Sequence, residues 1–395
     1  MVKKRFDIII VGGGLVGLIA AVSLARLGLS IKIVEKSKIT KKYNYKKDIR
    51  TTAIAQETKN ILEFFNLWKK IKKNAEPIKN IKVYDRTPFS KINFENKTKN
   101  SYLGYIVENK FIKEILIKEI FKNKNIYISD STPVEKIEIL QDEVIVKAKE
   151  DFTCSLLIAA DGKKSFVANS LDQKKFFKNY NQTALVANIM HTQKHNNTAY
   201  EIFLKSGPIA SLPMLDKNNK GFRSSIVWTN TSDYMSNLEK VDDNFLVNVL
   251  NEHVSEFLGQ TKKIFNKQFF SLNSHINSAF FSKKVIYIGD SAHSIHPIAG
   301  QGWNVGMRDV RTLFNIIKNA NLTGIDLGSE YVGQEYNKQR YFDAFSLYQI
   351  TDKLNTLFMY DNFAFNKIRK IGFKLINNNT FINSKISDYA MGKRF

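Results

Sequence analysis

Cysteine is almost missing from this 395-residue chain: Cys154 is the only one, so there is no disulfide framework and no chemistry that needs a cysteine pair. Such usage fits a reducing cytoplasm. Proline is scarce too, at 6 residues, while Lys, Asn and Ile are plentiful, a pattern of codon bias in an AT-rich genome. Beyond the first thirty or so residues no apolar run is long enough to span a bilayer, so the chain reads as soluble or peripheral to a membrane. Acidic residues are few, 37 against 60 basic ones, for a formal charge of +23. That excess alone suggests nucleic acid. Yet the lysines are scattered through every segment (Lys41-Lys42, Lys69-Lys70, Lys163-Lys164, Lys283-Lys284), with no zinc-finger spacing or RNA-binding aromatic signature beside them. A solvated basic surface follows, with a charge selected for anionic lipid or an acidic partner as the alternative. His293 and His296 have no further His, Cys or carboxylate cluster around them, so no metal is expected.

What is present begins near the amino terminus. Phe6 to Val11 reads as an apolar strand, Gly12-x-Gly14-x-x-Gly17 turns it, and an apolar helix runs to Leu27. A second strand, Ile31 to Val34, ends in Glu35. A lone glycine motif of this kind is weak; here the strand, helix and terminal acid it requires are all in place. Gly12 permits the turn, Gly14 lets the backbone approach a pyrophosphate, and Gly17 lets helix pack on strand. Glu35 stands where a carboxylate accepts from ribose hydroxyls. The competing reading is a signal peptide, since Lys3-Lys4-Arg5 precedes a mostly apolar stretch; three glycines in register and the acid beyond fit secretion poorly.

The second informative stretch runs from Tyr287 to Asn304. An apolar strand ends in Gly289-Asp290, a loop carries Pro297 and Gly300-Gln301-Gly302, and a helix starts at Asn304. Such a backbone brings amides and a helix amino terminus against something planar and electron-rich. Between the two stretches the organisation is interleaved. Leu156 to Ala160 reads as a buried parallel strand stopped by Asp161-Gly162, and 180–272 alternates as an antiparallel sheet interrupted by a helix from Asp243 to Phe257. The expected division is a dinucleotide-binding domain from 1–76, 105–179 and 273–330, substrate-domain strands at 77–104, an antiparallel-sheet substrate domain at 180–272, and a helical region at 331–395. Leu347, Ile350, Leu354, Leu357 and Phe358 are expected on one helix face.

These motifs together resemble the FAD-dependent aromatic-ring hydroxylases (class A flavoprotein monooxygenases), and within them the ubiquinone-biosynthesis hydroxylases of the UbiH/UbiF type. The resemblance spans nearly the whole chain. It rests further on Asp48-Ile49-Arg50-Thr51-Thr52-Ala53, Tyr105-Ile106-Val107-Glu108-Asn109 and Ala159-Ala160-Asp161-Gly162. Marks of the quinone subgroup are Tyr180-x-Gln182, Thr198-Ala199-Tyr200-Glu201-x-Phe203, Gly207-Pro208, Arg340-x-x-Asp343, Thr351-Asp352 and Ala390-Met391-Gly392. Ile202 departs from it, standing where the subgroup usually has arginine, and Ser291 replaces a commoner alanine.

The resemblance implies an α/β fold: a Rossmann-like, glutathione-reductase-like FAD-binding domain, an interleaved antiparallel-sheet substrate domain and carboxy-terminal helices. It implies FAD as cofactor and NAD(P)H as transient co-substrate, with O2 and a C4a-hydroperoxyflavin delivering oxygen to a polyprenylated phenol or quinol. Arg50 would contact flavin phosphate or the nicotinamide cofactor. Asn109 would reach the ribose or pyrophosphate region, unless it only caps its helix. Asp161 would position FAD and NAD(P)H, and Asp290 the ribityl chain. Pro297, Gly300, Gln301 and Gly302 would line the flavin ring, with the helix dipole beginning near Asn304 stabilising its reduced form. No nucleophile is expected, because the flavin carries the chemistry; the substrate-side candidates are His191, Tyr200, Glu201 and Phe203. A second dinucleotide fingerprint and a halogenase tryptophan signature are both missing, which disfavours Baeyer–Villiger enzymes and halogenases. The insoluble tail of such a substrate implies contact with a membrane, lipid carrier or biosynthetic complex; Leu357-Phe358-Met359, Phe365, Ile368, Ile371 and Leu375 could supply that surface or could be core. A prenyl-lipid reductase or dehydrogenase of the same fold, a hydroxylase of another small phenolic substrate, and a non-catalytic scaffold subunit remain the alternatives.

Overall fold

The computed structural model describes residues 4–39, 48–95, 102–216 and 220–392; Lys3 and the Lys41-Lys42 pair lie outside them. The chain enters at the middle of its first sheet. Strand β1 (Lys4–Val11) pairs in parallel with β2 (Ile31–Val34) on one side and with Phe152–Ala159 on the other. Ile126–Ser129 and Val285–Tyr287 extend the sheet in parallel at either flank. Ile8, Ile9 and Ile10 are all fully buried, because helices cover both faces of a parallel sheet and every side chain must be apolar. Helix α1 (Leu15–Leu24) connects β1 to β2, and its residues from Gly17 to Leu24 are buried all round.

A small antiparallel sheet joins β3 (Thr51–Ala55) and Ala75–Ile78 to the central strand Gly104–Glu108. Among the described residues the second large sheet has eight strands. Third from one edge is the 17-residue β4 (Lys175–His191), followed in the chain by β5 (Thr198–Leu204), Gly207–Pro213 and Arg223–Thr231. Helix α2 (Asp243–Leu258) lays Leu246, Leu250, Val254 and Leu258 on one face of it, and β6 (Thr261–Asn277) returns antiparallel to β4. The early strands Asn80–Asp85 and Thr87–Glu95 join this same sheet through parallel pairing with β5. At the opposite edge β6 pairs with His293–Ser294, so the two large sheets are tied together at that loop.

Helices α3 (Gly302–Thr323), α4 (Glu330–Met359), α5 (Phe363–Asn378) and α6 (Thr380–Ala390) complete the chain. The helical period expected across 331–376 breaks at Tyr360, and Asn362 restarts it by accepting from the Phe365 amide at 3.0 Å. On α4 the buried row is Leu347, Thr351 and Phe358; Ile350 falls off it and is 40% exposed, a correction to the expected face. Among the described residues no helix is long and apolar enough to cross a membrane.

Candidate functional site

The two glycine turns, far apart in sequence, meet at Val16. A Cβ built on Gly289 would stand 3.2 Å from both Cγ atoms of Val16, and one built on Gly306 would stand 2.9 Å from its Cγ2. Gly289 has φ +57°, a conformation natural to glycine. Gly12 and Gly17 are needed for chain-on-chain approach: added Cβ atoms would lie 2.3 Å from the Ala160 carbonyl oxygen and 2.2 Å from that of Gly12. Gly14 differs. It is exposed, and a Cβ there would meet no protein atom within 4 Å.

Helices α1 and α3 share a feature that sets them apart from α2, α4, α5 and α6. The latter four begin on Asp242, Ser329, Asn362 and Asn379, each accepting backbone N–H bonds through its side chain. By contrast α1 and α3 begin on Gly14 and Gln301, with no side-chain cap bond and no acid in the first turn. Among the described residues no side chain takes their first amides, so those amides and the positive dipole ends can meet an anion. Beside α1, Glu35 accepts from the Gly13 amide at 2.5 Å and the Ser37 amide at 2.8 Å, which places its carboxylate against the glycine turn.

Charged groups gather around the same cleft. Arg50 forks onto Asp48 at 2.8 and 2.9 Å, and the sheet holds this segment through Asn188, which donates to the Ile49 carbonyl at 2.9 Å. Burial works to raise the Asp48 carboxyl, but the hydrogen bonds and charge of Arg50, helped by Asn109, outweigh it and hold it low. Asn109 opens its helix at the first position, with Glu108 preceding it, so it does not act as the cap; its side chain accepts from Thr52 at 2.5 Å. Asp161 accepts from the Val167 amide at 3.1 Å, while its Oδ1 is buried with no partner among the described residues. Burial raises its carboxyl above the ordinary range. Lys163 donates to the Asn273 carbonyl at 2.5 Å. Asp290 is reached by solvent yet closely walled by protein, and the lost hydration raises its carboxyl against the opposing charges of His293, Lys163 and Arg50. Protein groups that crowd out water disfavour the charged form in this way.

The loop after Asp290 is braced from behind. Ser291 donates to the carbonyls of Ala159 and Ile288, at 2.5 and 2.8 Å. His296 is buried, with Nε2 3.4 Å from the Gln182 side-chain oxygen, which also accepts from Asn355 at 3.2 Å. Pro297 is half-buried, and Gly300 (φ +59°) comes so close to β3 that a Cβ would lie 3.2 Å from that of Ala53. Asn304 is fully buried and spends its amide on β3, donating to the Ala53 carbonyl and accepting from the Ala55 amide, both at 3.0 Å. Its contribution at the cleft is therefore to fix where β3 and the start of α3 meet, with Gln301 and Gly302 at the helix end.

One buried group escaped sequence reasoning. Asp309, on α3, accepts from the Gly289 amide at 2.9 Å, lies 2.7 Å from His293 Nε2, and accepts from Arg340 at 2.7 Å. Arg340 also pairs with Asp343, which Arg308 joins. Burial opposes charge on Asp309, but His293 and Arg340 overcome it and keep the carboxyl well below its usual range. The Gly289-Asp290 turn thus hangs from an ion network whose Asp309–Arg340 pair is fully buried. The Arg340-x-x-Asp343 spacing was the one signal pointing to it.

The substrate-side candidates divide by strand parity. Ala199 and Phe203 pack toward Ala53 and Ile298, and Phe203 stacks on Phe358 with centroids 3.6 Å apart. Glu201 shares their parity on β5. Tyr200, Ile202 and Leu204 face the other way, into the core under α2, where Tyr200 stacks on Phe257 at 4.8 Å. Ile202 accordingly points away from the face that carries Phe203. His191 ends β4 at its remote tip, held between the Gln193 carbonyl and Ser224 at 2.7 and 2.9 Å. The structure brings Phe203 and Glu201 to the face beside the loop and sets His191 and Tyr200 apart from it.

The residues fit an extended dinucleotide: bare amides over Gly14, a carboxylate at Glu35, an unpartnered acceptor at Asp161, and a second bare helix end behind the glycine loop. Comparison with known proteins agrees. A family described as FAD binding domain matches residues 5–324. Ubiquinone hydroxylase UbiL of Rhodospirillum rubrum is 28% identical, over 98% of this chain and 90% of that protein. The mitochondrial ubiquinone biosynthesis monooxygenase COQ6 of Dictyostelium discoideum is 26% identical, over 98% and 91%. Among solved structures, p-nitrophenol 4-monooxygenase PnpA from Pseudomonas putida DLL-E4 matches with a TM-score of 0.81 and 18% identity over 100% of both chains. PqsL from Pseudomonas aeruginosa, a probable FAD-dependent monooxygenase, gives 0.74 and 17%, over 94% of this chain and 99% of that one. At these identities the two structures speak for the α/β fold alone.

Proposed function

Because the chain belongs to the FAD binding domain family, we propose that it is an NAD(P)H-dependent monooxygenase that hydroxylates the aromatic ring of a polyprenylated phenol on the route to ubiquinone. The observation that carries this reading is the convergence of two glycine turns and two helix ends without side-chain caps around Val16, with Asp290 beside the second turn and the apolar face of β5 near the following loop. FAD, when bound, supplies the oxygen activation. One oxygen atom enters the ring C–H bond as hydroxyl; the other leaves as water, with the hydride of NAD(P)H and a proton.

The chain's own residues bind, orient and exclude water. Glu35 would exchange part of its hold on the Gly13 and Ser37 amides for ribose hydroxyls, and the α1 amino end would take the pyrophosphate. Asp290 would hold the polyol chain, with Asp161 as a further acceptor nearby. Arg50, held by Asp48, would meet the phosphates or the incoming nicotinamide cofactor. The α3 amino end favours negative charge next to Gly300-Gln301-Gly302. Phe203, Ile298 and Ala53 give the phenol ring an apolar wall that keeps water from the reacting carbon. The names of the relatives, ubiquinone hydroxylase and ubiquinone biosynthesis monooxygenase, support the substrate class.

The test supplies the purified yellow protein with a prenylated phenol, NAD(P)H and isotopically labelled dioxygen. A product heavier by one labelled oxygen is expected. NAD(P)H consumption that yields an unlabelled, reduced prenyl lipid would replace this reading with a reductase.

A further inference from the structure

Helix α5 carries three separate rows of side chains, and among the described residues only one has a partner. The inner row, Phe365, Arg369, Phe373 and Ile376, packs against the protein. Arg369 is 3% exposed and donates to the carbonyls of Leu357 and Tyr360 at 3.0 and 2.8 Å and to Asp85 at 3.1 Å, so the helix is pinned in one orientation. A second row, Ala364, Ile368, Ile371 and Leu375, repeats at helical spacing on the outside, where Ile368, Ile371 and Leu375 are 54%, 50% and 54% exposed. The third row is Lys367, Lys370 and Lys374, all exposed, with Phe363 at its head 83% exposed. On a helical wheel the lysine row lies about 100° around the axis from the outer apolar row.

No Asp or Glu occurs from Asn362 through Ile386, and Asp361 just before is engaged by Arg86 and Lys205. The face is therefore apolar and cationic with no acid of its own, the composition that settles at an anionic lipid–water boundary. Next to it α6 adds Phe381, 68% exposed. Both helices are fixed to the sheet edge, Asn377 and Asn383 donating to the carbonyls of Lys91 and Asn93 at 2.7 and 3.2 Å. An exposed apolar row held rigidly on a folded body is a docking surface rather than a folding error.

We propose that the outer face of α5 docks this protein on an anionic phospholipid bilayer, with Ile368, Ile371 and Leu375 entering the headgroup–acyl boundary and Lys367, Lys370 and Lys374 meeting lipid phosphates. This deepens the reading of a lipid-tailed substrate, on which it rests for its purpose, while docking itself is measured without substrate. Leu357 and Phe358 belong to the core and take no part.

The experiment floats the FAD-loaded full chain with phosphatidylcholine vesicles, with and without phosphatidylglycerol. Binding is expected only to the anionic vesicles and is expected to fall steeply as salt rises, a readout that needs no variant. Replacing Lys367, Lys370 and Lys374 together by Ser should weaken it roughly a hundredfold. Ile371→Ser with Leu375→Ser should weaken it about tenfold, flavin absorbance unchanged in both. The proposal is overturned if the wild type stays with the soluble fraction, or if both variants float as it does. It is equally overturned if the apolar variant converts a dimer into a monomer, which would assign the face to a second copy. Failed flotation alongside labelled product from a short-tailed phenol would remove the docking and spare the hydroxylase.

Discussion

Val16 packs against Gly289: the side chain between Gly14 and Gly17 fills the space where a Cβ on the second turn would stand, 3.2 Å away. The contact welds the amino-terminal turn to one formed some 270 residues later. A side chain at Gly289 would strain the backbone at φ +57° and make the Val16 methyls give way by a few tenths of an ångström.

Gly14 and Gly17 therefore make opposite predictions although they share one motif. A Cβ at Gly14 meets no protein atom within 4 Å and φ there is an ordinary −74°, so Gly14→Ala should leave the thermal stability of the flavin-free protein unchanged. Its FAD affinity should fall at least about a hundredfold, read by quenching of flavin fluorescence. Gly17→Ala drives a methyl to 2.2 Å from the Gly12 oxygen and should cost about 3 kcal/mol or more in urea unfolding. Equal stability losses in the two variants would contradict this division.

Asp309→Asn tests the buried network. It leaves Arg340, fully buried, short of its partner and slackens the Gly289 amide, so a loss of about 3–5 kcal/mol is expected, with weaker flavin retention. Calorimetry and flavin content check the two halves. Arg308→Ala, on a partly exposed outer link, should cost under about 1 kcal/mol.

Acid sensitivity follows from His191, His275 and His296, whose burial lowers each ring to about 4. The unfolded chain takes protons on these rings below about 6.5, while the folded protein holds them off until about 4. Stability therefore rises with pH across that window and is lost as pH falls through it, by at most about 3 kcal/mol per ring. Asp161 and Asp290, raised by burial, pull the other way, so the discriminating measurement compares urea midpoints of the wild type and His296→Gln at several pH values. The variant should show the shallower slope.

Phe203→Ala and Tyr200→Ala should separate by parity. The first opens the apolar wall beside Ile298 and should lower the ratio of product to NAD(P)H consumed several-fold, with hydrogen peroxide making up the difference. The second removes a ring stacked under α2 and should cost stability, about 3 kcal/mol, with coupling intact. Product and peroxide counted together decide it.

The parts of this fold that were legible in sequence are those where backbone geometry admits few residue types. Gly12 against Ala160, Gly17 against Gly12 and Glu35 at a strand end can be read from spacing because substitution there collides or leaves an amide unpaired. The facing of β5 could not be read: Ile202 and Phe203 are both buried, so the strand is apolar on both sides and alternation says nothing about which side meets the cleft. Asp309 stayed hidden because Arg308-Asp309 followed by Arg311 looks like a solvated helix face, and only tertiary packing buries its middle member. The carboxy-terminal helices mixed the two cases. Their apolar residues were evident, but their division into core and outer rows depends on the Arg369 anchor.

Glu35 gathers the Gly13 and Ser37 amides onto one carboxylate, so the loop ahead of α1 and the loop after β2 share an anchor. A shift of either loop is felt by the other, and a ribose that recruits this carboxylate draws on both at once.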